Sequence, residues 1–226
     1  MRGGGYAMKE FLDAAAEAAV KQRVAALERA TGVEVVVAVI ARADSYPEIP
    51  WKAFALGASL ASLAAVAAAL FDPGWEAFEA VAETAAAALA AGAAGALATV
   101  WIPPLARWFV PKLRQQAEVL QYAQSMFLEA GLHRTPRRDG ILLLVSQFEH
   151  EVVALADRGV NDRIVAGGLD PVVVAVTAGL KRGSLRDAFL DGLSRLEEAL
   201  VARGFRAQPG EPNELPDAPI QRKGPS

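Results

Sequence analysis

His133, Arg134, Arg137 and Arg138 crowd into the stretch "LHRTPRRDG". Guanidinium groups offer paired N–H donors to phosphate and carboxylate oxygens, and on a cytoplasmic face such a cluster suits a phosphate or an anionic lipid headgroup. The same run also reads as a solvated basic loop, with His133 capping the helix before it. Asp139, Asp157 and Asp162 fall around the ends of two predicted strands, so they could converge despite their separation in sequence. Carboxylate oxygens suit Ca²⁺ or Mg²⁺, and a bound ion would polarise a phosphoryl group or activate water. Aspartates beside glycine also suit the capping of turns.

Other chemistry is excluded by what the chain lacks. With no cysteine and two histidines, His133 and His150, there is no recognisable zinc site, no thiolate and no disulfide. The glycines follow neither the Walker spacing nor G-x-G-x-x-G between a strand and a helix, and no Ser-His-Asp set is justified. A formal net charge of -3 gives no basic field for nucleic acid. Acids at Glu10, Asp13 and Glu17 interrupt the stretch where a cleavable export signal would be apolar.

The elements that must hold these residues follow from periodicity and punctuation. "EFLDAAAEAAVKQRVAALERATG" predicts a helix with Phe11, Ala15, Ala18, Ala19 and Leu27 inward, stopped at Gly32. The β-branched run "VEVVVAVIA" over 33–41 predicts a buried strand. Pro111 opens a helix with Leu113, Ala117, Leu120, Phe127 and Ala130 inward, ending at Gly131. Residues 140–157 predict a β-hairpin turning at Gln147 to His150. Asp170-Pro171 and the Ser184/Asp187 capping pair open two last helices. With a helical crossover between them, the first and second strands should run parallel.

Two stretches interrupt this α/β pattern, residues 53–71 and 84–106, and neither carries a charged side chain. At about 1.5 Å per residue each can span a hydrocarbon layer of roughly 30 Å. The alternative is the core of a soluble bundle, but that would require a polar stripe. Lys52 precedes the pair, Arg107, Lys112 and Arg114 follow it, and the acidic turn between has no Lys or Arg. The positive-inside bias therefore predicts a two-pass protein of the cell inner membrane with both termini cytoplasmic. Trp51, Trp75, Trp101 and Trp108 fall near the expected interfaces, where an indole can set its ring against lipid and its N–H in the headgroups. The small residues Gly57/Ala61 and Gly92/Ala96 would let the helices approach closely.

The predicted fold is a small mixed sheet flanked by helices and interrupted by a transmembrane helical hairpin. Residues 1–50 form the first part of the α/β domain, 51–108 the hairpin, 109–206 the second part, and 207–226 an extended tail. The strings "LERATGVEVVVAVI" and "RRDGILLLVSQFEHEVVALADRGV", with the helical region after them, resemble the TPM-domain family. The internal apolar pair, "GLHRT" and the late "NELPD" are most similar to its subgroup with a transmembrane hairpin. That resemblance implies a sheet sandwiched by helices, and roles ranging from phosphatase activity to assembly or repair of membrane complexes such as photosystem II. It also implies an acidic pocket around Asp139, Asp157, Gly159 and Asn161-Asp162, although Arg158 leaves fewer adjacent acids here than such a pocket would hold. Two functions follow as expectations. One is a membrane-anchored scaffold that meets the lipid bilayer and a membrane-protein partner. The other is a metal-assisted phosphomonoester hydrolase using Ca²⁺ or Mg²⁺.

Overall fold

Asp13 begins the first helix by accepting the Ala16 N–H at 2.7 Å, and Gly32 ends it in the left-handed region at φ +70°. A side-chain cap of this kind is worth about 1 kcal/mol, and glycine takes that terminal conformation without a Cβ penalty. The computed structural model describes residues 11–71, 77–164, 168–208 and 215–225, without the side chains of 77–80. Its elements are α1 (Ala14–Thr31), β1 (Val35–Ile40), α2 (Glu48–Phe71), α3 (Ala77–Trp101), α4 (Pro103–Trp108) and α5 (Lys112–Glu129). After a 3₁₀ turn over Leu132–Arg134 come β2 (Ile141–Ser146), β3 (Glu151–Ala156), α6 (Arg158–Asn161), α7 (Asp170–Lys181), α8 (Leu185–Ala202) and β4 (Ile220–Arg222).

Met1–Asp44 and Gln116–Ser226 make one compact unit, built on a four-stranded mixed sheet in the order β3-β2-β1-β4. β1 pairs in parallel with β2, as its helical crossover predicted, and also with β4; β2 and β3 form the antiparallel hairpin. Every residue of β1 and β2 is buried, because the alternation of side chains feeds two cores. Val35, Val37, Val39, Ile141, Leu143 and Val145 face α1, α7 and α8. Val36, Ala38, Ile40, Leu142 and Leu144 face α5 through Val119, Ala123 and Met126.

Two helix faces differ from their sequence-predicted phase. In α1 the buried apolar positions are Ala16, Val20, Val24 and Leu27, while Ala15 and Ala18 stand outward. Alanine gains little from burial, so the valines set the rotation. In α5, Val119, Ala123 and Met126 take the sheet, and Leu113 and Leu120 are exposed. The tail differs too: residues 220–222, expected to be loose, add a strand to the edge of the sheet.

Ser45–Gln115 make the second compact unit. Here α2 and α3 run antiparallel at close range; a Cβ on Gly57 would lie 2.6 Å from the Ala91 carbonyl oxygen, and one on Gly95 2.9 Å from that of Ala53. Their other faces point outward, with Leu56, Leu60, Leu63, Val66, Leu70 and Phe71 all exposed, Phe71 at 90 %. Both helices are long and apolar enough to cross a membrane. The second expected span ends at Trp101 rather than at residue 106, because Pro103 cannot continue the ladder; the chain restarts as α4. Lys52 Nζ donates to the Phe109 carbonyl at 3.3 Å, and Glu48 accepts from Arg114, so the two flanks meet at one end of the pair. Trp51, Trp101 and Trp108 are exposed. Trp75 and most of the acidic turn lie outside the described residues.

Candidate functional site

Asp139 precedes β2 and Asp157 follows β3, and the antiparallel register of Ile141 with Ala156 brings both to one end of the sheet. The Asp157 N–H donates to the Gly140 carbonyl at 2.8 Å, which ties the two strand ends together. Each aspartate is buried, and each already has a guanidinium. Arg138 Nε donates to Asp157 Oδ2 at 2.6 Å and its Nη2 to Oδ1 at 3.1 Å, a two-pronged pair. Arg137 Nε lies 2.9 Å from Asp139 Oδ2. Asp157 Oδ1 also accepts the Arg158 N–H at 2.7 Å, capping α6, and the Asp139 N–H donates to Thr135 Oγ1 at 3.1 Å.

The backbone is bent to make this possible. Arg138 sits at φ +53°, a conformation costly for a residue with a Cβ, and its carbonyl accepts the Gly159 N–H at 2.8 Å. A Cβ on Gly159 would run into the carbonyl oxygens of Arg137 and Arg138, so only glycine lets α6 approach the loop. The hydrogen bonds from Arg138 hold the Asp157 carboxyl below the usual carboxylate range; burial opposes this, while the Arg158 N–H and the charges of Arg138 and His133 add to it. Asp157 is therefore a fixed anion whose charge is already balanced.

The remaining expected site residues surround this knot. Asp162 is exposed and faces Arg158 at 3.4 Å, one turn away, so it is not gathered with the other two acids. His133 lies in the 3₁₀ turn, half-buried, with its Nδ1 buried and without a hydrogen-bond partner among the described residues. Arg134 is exposed beside it. A divalent ion needs several open oxygens, and among the described residues no group of three or more acids and histidines could hold one. The donor set does not fit Ca²⁺ or Mg²⁺, because guanidinium N–H groups occupy the carboxylate faces that an ion would use. What the arrangement offers outward is the unused N–H edge of Arg138, Arg134 and Arg158, suited to an anionic group.

The family model described as the TPM domain matches residues 79–199, just over half of the chain. The chain belongs to the TPM-domain family. The NMR structure of the BA42 protein from the psychrophilic bacterium Bizionia argentinensis is similar to this TPM domain, with a TM-score of 0.57 at 16 % identity. The likeness covers 95 % of this chain and 97 % of that one, and at such identity it shows the fold. None of the curated proteins matches the chain.

Some anchoring residues of the TPM domain had no signal in the sequence. Glu149, in the β2–β3 turn, is buried; its Oε1 accepts the Ala43 N–H at 2.9 Å, and its Oε2 pairs with the Ser146 hydroxyl. An acid in a polar turn looks solvated until the chain after β1 is seen to cross it. Thr135 closes "GLHRT", and "T-P" before a charged run is a turn signal, but neither shows that its hydroxyl holds the Asp139 N–H.

Proposed function

We propose that this TPM domain is a membrane-anchored cytoplasmic interaction or scaffold domain that helps to assemble or maintain a membrane complex. The observation that carries the reading is the outward apolar surface of α2 and α3. None of the most apolar window of α2 is buried, and 11 % of that of α3. A hairpin of a soluble core would bury those leucines, and a contiguous apolar surface of this kind marks a lipid or protein contact. Exposed Trp51, Trp101 and Trp108 supply interfacial indoles at one end, and the Lys and Arg residues there support cytoplasmic termini at the inner membrane. The ion-paired state of Asp139 and Asp157 favours binding over metal-assisted hydrolysis, and Arg134, Arg138 and Arg158 are the groups that would meet an acidic partner or lipid.

Single cysteines test the anchorage, since the chain has none of its own. In intact cells a membrane-impermeant maleimide should label Glu79→Cys directly, and Lys223→Cys only after permeabilisation. Recovery of the full-length protein as a monodisperse particle from detergent-free buffer would overturn the proposal. The purified protein should also show no chelator-sensitive phosphomonoesterase turnover; turnover abolished by both chelation and Asp157→Asn would favour the hydrolase.

A further inference from the structure

β3 and β4 are the two edges of the sheet, and they differ in how far they resist further pairing. β4 is three residues long, carries Arg222, and lies between Pro219 and Lys223. Short length, proline and positive charge are the devices that keep an edge unpaired. β3 has none of them. It runs for six residues, Val152 to Ala156 are all apolar, and its register with β2 is unbroken, so no bulge turns it aside.

The outward groups of β3 follow from the ladder. Asp157 N–H donates to the Gly140 carbonyl, and Ile141 N–H donates the other way, to the Glu34 carbonyl just before β1. Hydrogen-bonded and non-hydrogen-bonded pairs alternate along an antiparallel ladder, so Glu151, Val153 and Leu155 point their backbone groups at β2. Val152, Ala154 and Ala156 therefore point theirs away from the sheet. Asn161 Nδ2 donates to the Ala156 carbonyl at 2.7 Å, and among the described residues no strand takes the rest.

We propose that this edge pairs with a second copy of the chain, β3 against β3 in antiparallel sense about a twofold axis at Ala154. The pattern is self-complementary. Val152 then exchanges both N–H···O bonds with Ala156 of the second copy, and Ala154 with its own counterpart. Val153 comes opposite Leu155 of the second copy, and because the offset keeps parity, the two apolar faces of each sheet continue across the join. Charge selects the same direction. With residue 151 opposite residue 157, Glu151 comes beside Arg158 of the second copy, whose side chain is 83 % exposed. A parallel pairing would instead set like charges side by side.

Cysteine mixing in full-length protein held in detergent micelles tests the pairing and its register together. Val153→Cys and Leu155→Cys would occupy facing positions with Cα atoms about 4.5 Å apart, within reach of a disulfide. Either variant alone sets its cysteines two residues out of step, beyond that reach. Under mild oxidation the mixture should therefore give several-fold more covalent dimer than either variant alone. Ala154→Pro removes an outward N–H and no bond to β2, so it should fold and stay monomeric by light scattering. Arg158→Glu should raise the dissociation constant about tenfold, and adding Glu151→Arg should restore it, which keeps the test decisive if the proline variant does not fold. A wild type that is monomeric at every concentration, or a mixture that crosslinks no better than its components, would overturn the proposal.

Discussion

Asp157 makes use of both its carboxylate oxygens. One caps α6 through the Arg158 N–H, and both accept from Arg138. Separating the two roles is straightforward, because asparagine caps a helix as well as aspartate does but carries no charge. Asp157→Asn should cost less than about 1 kcal/mol, since Arg138 is half in solvent and such pairs are screened. Asp157→Ala loses the cap as well and should cost about 1–2 kcal/mol in urea unfolding. The sign of the pH effect follows from the lowered folded value. The stabilisation is present above the unfolded carboxylate value near 3.9 and disappears as pH falls through the lower folded one. Wild type and Asp157→Asn should therefore converge in stability in acid; a constant gap down to about pH 2 would refute the pair's contribution. The strand-end position of Asp157 and its suitability for a turn cap were legible from neighbouring residues. Its pairing with Arg138 was not, because that depends on a left-handed backbone at Arg138 and on the approach allowed by Gly159.

Elements were legible where large apolar residues repeat with one period. In α8, Phe189, Leu193, Leu196 and Leu200 recur at the spacing of one helix face, and all four are buried. Where alanine fills every face, as in α1, the period is present and the phase is not. β4 was invisible for a different reason: it is three residues long, and side chains such as Gln221 and Arg222 fix it to distant parts of the chain. In the α2–α3 pair, by contrast, small residues specify the contact. Gly57→Ala would force its Cβ against the Ala91 carbonyl, which is backbone and cannot swing aside, whereas at Gly92 the neighbour is the Phe54 ring. Overpacking of that kind costs about 1–3 kcal/mol. Gly57→Ala should lower the thermal midpoint in micelles clearly, and Gly92→Ala less. Equal effects at the two positions would mean that the backbone contact does not limit their approach.

At the scale of the molecule, the family match and the folding unit do not coincide. Residues 79–199 contain β2 and β3 but neither α1, β1 nor β4. β1 lies between β2 and β4, so its absence strips β2 of its parallel partner and exposes an edge of five apolar residues and Ser146. α1 is lost as well, and with it Val20, Val24 and Leu27, which close one of the two cores against α8. Removing even one such side chain costs about 2–5 kcal/mol, comparable with the whole stability of an ordinary domain once several are gone. A fragment of residues 79–199 should therefore show no cooperative unfolding by circular dichroism in micelles and should be digested rapidly by trypsin. Restoring residues 1–78 and 200–226, which include β1 and β4, should recover a cooperative transition. If the fragment alone unfolds cooperatively, then β1 is dispensable, and the split in sequence between the two halves of this α/β unit carries no structural obligation.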